Sequence, residues 1–220
     1  MREAYHDRLG ELATHLADMC TMVSDAMEKA TTALLEVDLA LAEQVISDDL
    51  KVDEARTAYE EEAYALLALQ APVATDLRTV LAVIHAAESL ERMGDLALHV
   101  AKTARRRHPN PVLPGEVQPY FEQMGRVAVA LARKTEQVIR TQDVKLARAV
   151  ENDDDEMDEL HRRLFTVIMD KSWPHGVSAA VDVTLLGRFY ERFADHAVSV
   201  AKRTVFVVTG RMPGADQYDI

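Results

Sequence analysis

Cysteine is nearly absent from this chain of 220 residues: Cys20 stands alone, which excludes an internal disulfide and fits a reducing cytosol. Glycine and proline are scarce as well, with 8 and 7 residues, so long segments such as 38–70 and 74–107 can stay helical without a break. No stretch of about 18 uncharged apolar residues exists to cross a membrane, and the first residues, Met1-Arg2-Glu3-Ala4-Tyr5-His6-Asp7, lack an apolar signal core. Positive charge is also in deficit: the formal net charge is −12, and no basic face is large enough for a nucleic-acid footprint. Arg105-Arg106-Arg107 is the one basic run, read here as a helix C-terminus complementing its dipole. Missing too are a glycine-rich phosphate loop, a Gly-x-Ser-x-Gly elbow and a Cys-x-x-Cys pair, which removes the common nucleotide-dependent and hydrolytic chemistries. The expectation is a soluble, cytoplasmic protein, peripheral to a membrane at most.

What the chain does have is an internal repeat. Glu91-Arg92-Met93-Gly94-Asp95 returns 100 residues later as Glu191-Arg192-Phe193-Ala194-Asp195, and Ala97, Val100, Ala101 and Lys102 match Ala197, Val200, Ala201 and Lys202. A second window repeats at an offset of 105: Leu41, Ala42, Val45, Asp48, Asp49, Asp53 and Glu54 match Leu146, Ala147, Val150, Asp153, Asp154, Asp158 and Glu159. Pro72 and Pro174 occupy corresponding connectors between the windows. Two duplicated halves explain this pattern. Each reads as three helices, over 5–36, 38–69 and 74–107 and then over 117–141, 143–171 and 177–209. Asp38 and Asp143 stand where an N-cap is needed, and each proline disfavours helix in the residue before it. The fold class is therefore all-α, a tandem duplication of two three-helix bundles packed side by side. The first bundle covers 1–108 and the second 120–209. A Pro-rich linker spans 109–119 with four of the seven prolines, and a loose tail is expected over 210–220.

Both windows carry paired carboxylates, and the pairing points to chemistry. Acids at i and i+4 share one helix face, about 5–6 Å apart at Cβ. With 37 acids in the chain, roughly six such pairs arise by chance, so a lone pair carries little. Three features raise Glu91 and Asp95 above that background. The pair survives duplication as Glu191 and Asp195. Leu77, Val80, Ile84 and Leu98 fall within about 40° of Glu91 on a helical wheel, which is wrong for a solvated face. The other window supplies its own pairs, Asp49/Asp53 and Asp154/Asp158. If the second and third helices of each bundle are antiparallel neighbours, two pairs face one another. Four carboxylates in partly apolar surroundings do not all stay ionised without a cation. Hard oxygen donors suit Mg²⁺, Ca²⁺ or Mn²⁺, and iron is common in carboxylate-rich bundles. The alternative left open by spacing is that Arg92, Arg188 and Arg192 hold these acids as ion pairs. Glu88 lies on the same side but its counterpart is Arg188, so a ligand role for it is confined to one half. His99 matches Ser199 and reads as a solvated or hydrogen-bonded histidine. Asp158-Glu159-Leu160-His161 resembles the Glu-x-x-His of di-iron bundles but has no twin in the first half. Cys20, Met19, Met22 and Met27 read as core residues of the first helix.

Two three-helix repeats, each with an Asp-rich second helix and a third helix carrying Glu-Arg-x-x-Asp, resemble the PhoU family of phosphate-signalling regulators. Asp76-Leu77-Arg78 after Pro72, and Arg188 three residues before Glu191, resemble that family too. The likeness spans about 5–208, with Ala194 in place of the family's usual glycine and Leu96 in place of a commonly polar residue. It implies a negative regulator of the phosphate-starvation response and of phosphate uptake, with no enzymatic activity. Such a protein acts as an adaptor between the ATPase subunit of a phosphate ABC importer and a sensor histidine kinase, and a homodimer is the expected assembly. The family's metal-binding pattern selects Asp49, Asp53, Glu91 and Asp95, then Asp154, Asp158, Glu191 and Asp195. Iron, zinc or magnesium-like ions are implied there. Two rival classes stay open: a carboxylate-bridged metal store or di-metal enzyme, against which the missing Glu-x-x-His pair argues, and a metal-free helical interaction module.

Overall fold

Six α-helices account for nearly all of the computed structural model, which describes residues 2–211. They are α1 (Arg2–Glu36), α2 (Leu39–Gln70), α3 (Ala74–Arg107), α4 (Gln118–Thr141), α5 (Val144–Ile168) and α6 (Gly176–Thr209), with no strand among the described residues. The starts of α2 and α5 are set by the two aspartates expected to cap them. Asp38 accepts from the Leu41 amide, and Asp143 accepts from the amides of Lys145 and Leu146, satisfying donors that have no partner within the helix. Their stops differ. α2 ends two residues before Pro72, whereas α5 ends at Ile168, three residues short of the expected 171; Asp170 there draws the Ser172 amide into a turn instead. Of the expected tail, residues 212–220 lie outside the described residues.

Contacts between elements order the helices. α2, α3, α6 and α5 lie side by side in that sequence, α1 packs behind α2 and α3, and α4 behind α5 and α6. The halves meet through α1 against α4 and α3 against α6, while α2 and α5 touch only their own half. α3 and α6 run antiparallel: the end of α3 at Arg107 reaches Ser178 and Asp182 at the start of α6. One continuous apolar core results, drawing on every helix and including Leu12, Leu16, Met19, Cys20, Val23 and Met27 of α1. Cys20 and that methionine row are thus core, except that Met22 is only partly buried. The Pro-rich segment 109–119 is packed rather than free, since Val112, Leu113 and Val117 are buried in the same core. Across the halves, buried Thr31 of α1 and Tyr190 of α6 share a hydrogen bond of 2.8 Å.

Candidate metal centre

Each carboxylate window occupies one member of an outer–central helix pair. Asp49 and Asp53 lie on α2, and Glu91 and Asp95 on α3, its direct neighbour. Asp154 and Asp158 on α5 face α6, the helix of Glu191 and Asp195. The packing forces the third-helix glutamates inward: side-chain exposure is 16% for Glu91 and 14% for Glu191. The apolar surroundings that the helical wheel gave Glu91 are present, with Val80 and Leu98 buried, although Leu77 is exposed.

Burial and neighbouring negative charge perturb two acids of each set. Burial raises the Asp49 carboxyl above the usual aspartate range, with Asp53 and Asp95 adding to the rise and Lys102 and His99 opposing it. Burial likewise raises Glu91, with help from Asp95 and Asp53 and opposition from Arg92 and Arg56. In the second half the effect is larger. Asp154 is pushed up to about 7, first by burial and then by Asp158, Asp195, Glu191 and Asp155. Glu191 is raised by burial, Asp195 and Asp158 against the opposing charge of Arg188. Like charges in a partly dry site disfavour full ionisation.

Arginines relieve part of this repulsion, differently in the two halves. Arg92 bridges Glu91 at 3.4 Å and Asp95 at 2.8 Å. In the second half Arg188, the counterpart of Glu88, pairs with Glu191 instead. The ion-pair alternative is therefore realised for Glu91, Asp95 and Glu191, though not through Arg192. Among the described residues, Asp49, Asp53, Asp154, Asp158 and Asp195 have no Lys or Arg within ion-pair distance. Neighbouring acids on the same helices do: Lys51 holds Asp48, Lys134 holds Asp153 and Lys202 holds Glu151.

Cavities adjoin both clusters. Asp49 lines one of about 160 Å³ with Asp25, Lys29, Asp48, Val52 and Gly94, among others. Asp154 and Asp195 line an open one of about 410 Å³ with Glu151, Asp155, Lys202 and Arg203. A cation suits this donor set in two respects. Five carboxylates lack a basic partner, and Glu191 Oε2 is buried with no hydrogen-bond donor. A ready-made cage is not there: among the described residues no three His, Cys, Asp or Glu side chains converge tightly enough to hold an ion as placed. The clusters fit a metal in charge and donor chemistry, and their side chains would have to swing together onto it.

Two features had no signal in the repeat. Asp182, buried at the start of α6, receives Arg106 at 2.9 Å and the Nε of Arg107 at 2.9 Å. The basic run at the end of α3 is thus an inter-half clamp as well as a helix terminus. Its acceptor matches Ala82 in the first half, so no duplicated motif marks it. His161 has a buried Nε2 with no hydrogen-bond partner, and burial and Arg188 lower its basicity while Asp158 opposes them. It borders the second cluster, and only the single Asp-x-x-His spacing could have pointed to it. His99 donates from Nδ1 to the Asp95 carbonyl at 2.5 Å, the hydrogen-bonded role expected of it.

Comparison with known proteins identifies the family to which the six-helix fold belongs. A family model described as PhoU domain matches residues 16–104 and 121–204. The chain is 57% identical over 216 residues to the phosphate-specific transport system accessory protein PhoU homolog 1 of Mycobacterium leprae, covering 98% of this chain and 97% of that one. It is 57% identical over 213 residues to PhoU homolog 2 of Mycobacterium tuberculosis, covering 97% and 100%. Among solved structures, PhoU from Pseudomonas aeruginosa superposes with a TM-score of 0.83 at 25% identity, over 94% of this chain and 100% of that one. The regulatory protein PhoU from Streptococcus pneumoniae gives 0.85 at 24% identity, over 94% and 98%, and shares the fold. Two repeats of one domain, matched along almost the whole length by close relatives, place this chain in the PhoU family.

Proposed function

We propose that this protein is a non-enzymatic negative regulator of phosphate uptake and of the phosphate-starvation response, built around two cation-binding carboxylate clusters. The observation that carries this reading is the four-acid cluster found once in each half of a chain that matches, end to end, relatives named as phosphate-specific transport accessory proteins. Its partners in the proposal are the ATPase subunit of a phosphate importer and a sensor histidine kinase. No helix among the described residues is long and apolar enough to cross a membrane; the proposed place of action, set by the ATPase subunit as partner, is the cytoplasmic face. A homodimer is the proposed assembly.

In the first half Asp49, Asp53, Glu91 and Asp95 would hold the ion, and in the second Asp154, Asp158, Glu191 and Asp195. Iron, zinc and magnesium-like ions are the candidates. A bound cation supplies charge neutralisation that lets all four acids ionise. The protein's own contribution is to hold an outer helix against a central one: α2 touches no helix of the second half, so cross-helix links with α3 and α1 fix its position. With no Glu-x-x-His that returns in both halves, the reading is a rigid docking surface rather than a reaction centre.

The test has two arms. Deletion of the gene in its own host should leave phosphate-scavenging genes expressed at high phosphate; unchanged repression would end the regulatory reading. Metal analysis of protein purified without affinity-tag metals should show bound ion in wild type and loss in the Asp49/Asp53/Glu91/Asp95 quadruple alanine variant. The metal-free module is the second reading, favoured by Arg92 and Arg188 on the glutamates. It predicts no metal in either protein.

A further inference from the structure

The strongest departure from the internal duplication lies at the end of α3. At an offset of 100, Arg105, Arg106 and Arg107 correspond to Val205, Phe206 and Val207, and His99 to Ser199. On the facing stretch of α6, Asp182, Leu185 and Phe189 correspond to Ala82, His85 and Ser89. Neither set is needed to make a half-bundle, because the other half folds without it. Together they line one open cavity of about 500 Å³ between α3 and α6, with His99, Lys102, Thr103, Arg105, Arg106, Asp182, Leu185 and Phe189 on its walls.

The two walls differ in chemistry. The α3 wall presents Lys102, Arg105 and Arg106, spaced three and four residues apart and so gathered on one helix face. The only acid in the lining, Asp182, is buried and already held by Arg106 and Arg107. Arg105 has only a long contact of 3.5 Å to exposed Glu43. Lys102 has no carboxylate within ion-pair distance among the described residues, whereas its duplicate Lys202 is held by Glu151 at 2.7 Å. The α6 wall is apolar: Leu185 is 47% exposed, and the Phe189 ring lies 5.2 Å from that of His99. A concentration of cations is unusual on a chain of net charge −12. Beside an exposed leucine and an aromatic ring, it selects a ligand with two matching parts.

We propose that this cleft binds a nucleoside phosphate, with its phosphates on Lys102, Arg105 and Arg106 and its base against Phe189 and Leu185. Guanidinium and ammonium groups one helical turn apart suit a diphosphate better than a single anion. A cavity of a few hundred Å³ with one apolar wall holds a molecule of nucleotide size. None of its lining residues is one of the eight clustered acids, although Lys102 and His99 face Asp49, and chelator in the titration keeps the metal reading out of the test.

The test is calorimetric titration of the full chain in chelator at low salt, with ADP, adenosine, inorganic pyrophosphate and an acidic phosphopeptide as separate probes. ADP should bind and adenosine should bind far more weakly. Lys102→Gln with Arg105→Gln should weaken ADP and pyrophosphate alike, by about tenfold or more. Phe189→Ala should weaken ADP by about fivefold and leave pyrophosphate unchanged. Leu185→Glu, at an exposed position, should abolish ADP binding while circular dichroism shows full helicity. The proposal is overturned if ADP gives no heat, if it binds the Lys102/Arg105 variant as tightly as wild type, or if only the phosphopeptide binds.

Discussion

At Asp154 the carboxyl sits among Asp158, Asp195, Glu191 and Asp155, and burial together with these charges pushes it up to about 7. A raised carboxyl pKa means that the folded chain holds a proton the unfolded chain has released. Between the unfolded value near 4 and the folded value near 7, rising pH therefore removes stability, and above 7 the loss is complete. The metal-free protein should be more stable at pH 5 than at pH 8 on account of this group, by about 1–2 kcal/mol after allowance for its partial exposure. Asp154→Asn should flatten that slope in urea titrations run with chelator across the range. If the slope is the same with and without the substitution, the acid cluster is not the source of it. A cation bound to the cluster would remove the slope as well, because it holds the carboxylates ionised.

Helix ends and helix crossings are the next scale. Asp38 and Asp143 each satisfy a first-turn amide, so replacing either with alanine should cost about 1 kcal/mol, read as a lower midpoint in thermal or urea unfolding. No change would mean that solvent serves those amides equally well. Gly125 marks where α4 crosses α1. A Cβ there would lie 2.5 Å from Thr31 Cγ2 and 2.9 Å from its Oγ1. Thr31 cannot turn aside without cost, because its hydroxyl is held by Met27 O and Tyr190. Gly125→Ala should destabilise by about 1–3 kcal/mol, despite the gain of up to about 1 kcal/mol that alanine brings to a helix. A stabilised variant would show that the crossing relaxes freely.

Across the whole molecule, the shared core makes the halves one cooperative unit. Trp173, the only tryptophan, reports on the second half, and circular dichroism reports on all six helices. Their unfolding curves should coincide, and two separated transitions would show independent bundles. Asp182→Ala should cost about 1–3 kcal/mol of stability, read as a lower common midpoint, since it strips Arg106 and Arg107 of a buried acceptor while both arginines keep access to water. Equal stability of variant and wild type would reduce the clamp to a surface contact.

Repeated windows, two capping aspartates and two connector prolines determined six helices in two equivalent halves, because capping and proline stereochemistry act within a few residues of the chain. The same repetition named the eight acids, since identical residues returning at two offsets must occupy equivalent places. Only the tertiary structure decided that α3 and α6 lie against each other. That contact turned Arg106 and Arg107 toward Asp182 and gave Lys102 and Arg105 a neighbouring apolar wall. It also decided how deeply Glu91 and Glu191 are buried beside Arg92 and Arg188, whose pairing within one helix turn the spacing already allowed. The pairings with Asp182 join residues more than 70 positions apart. No local propensity encodes them; they arise when the apolar faces of the two halves close over one core and fix which charged side chains are left to meet.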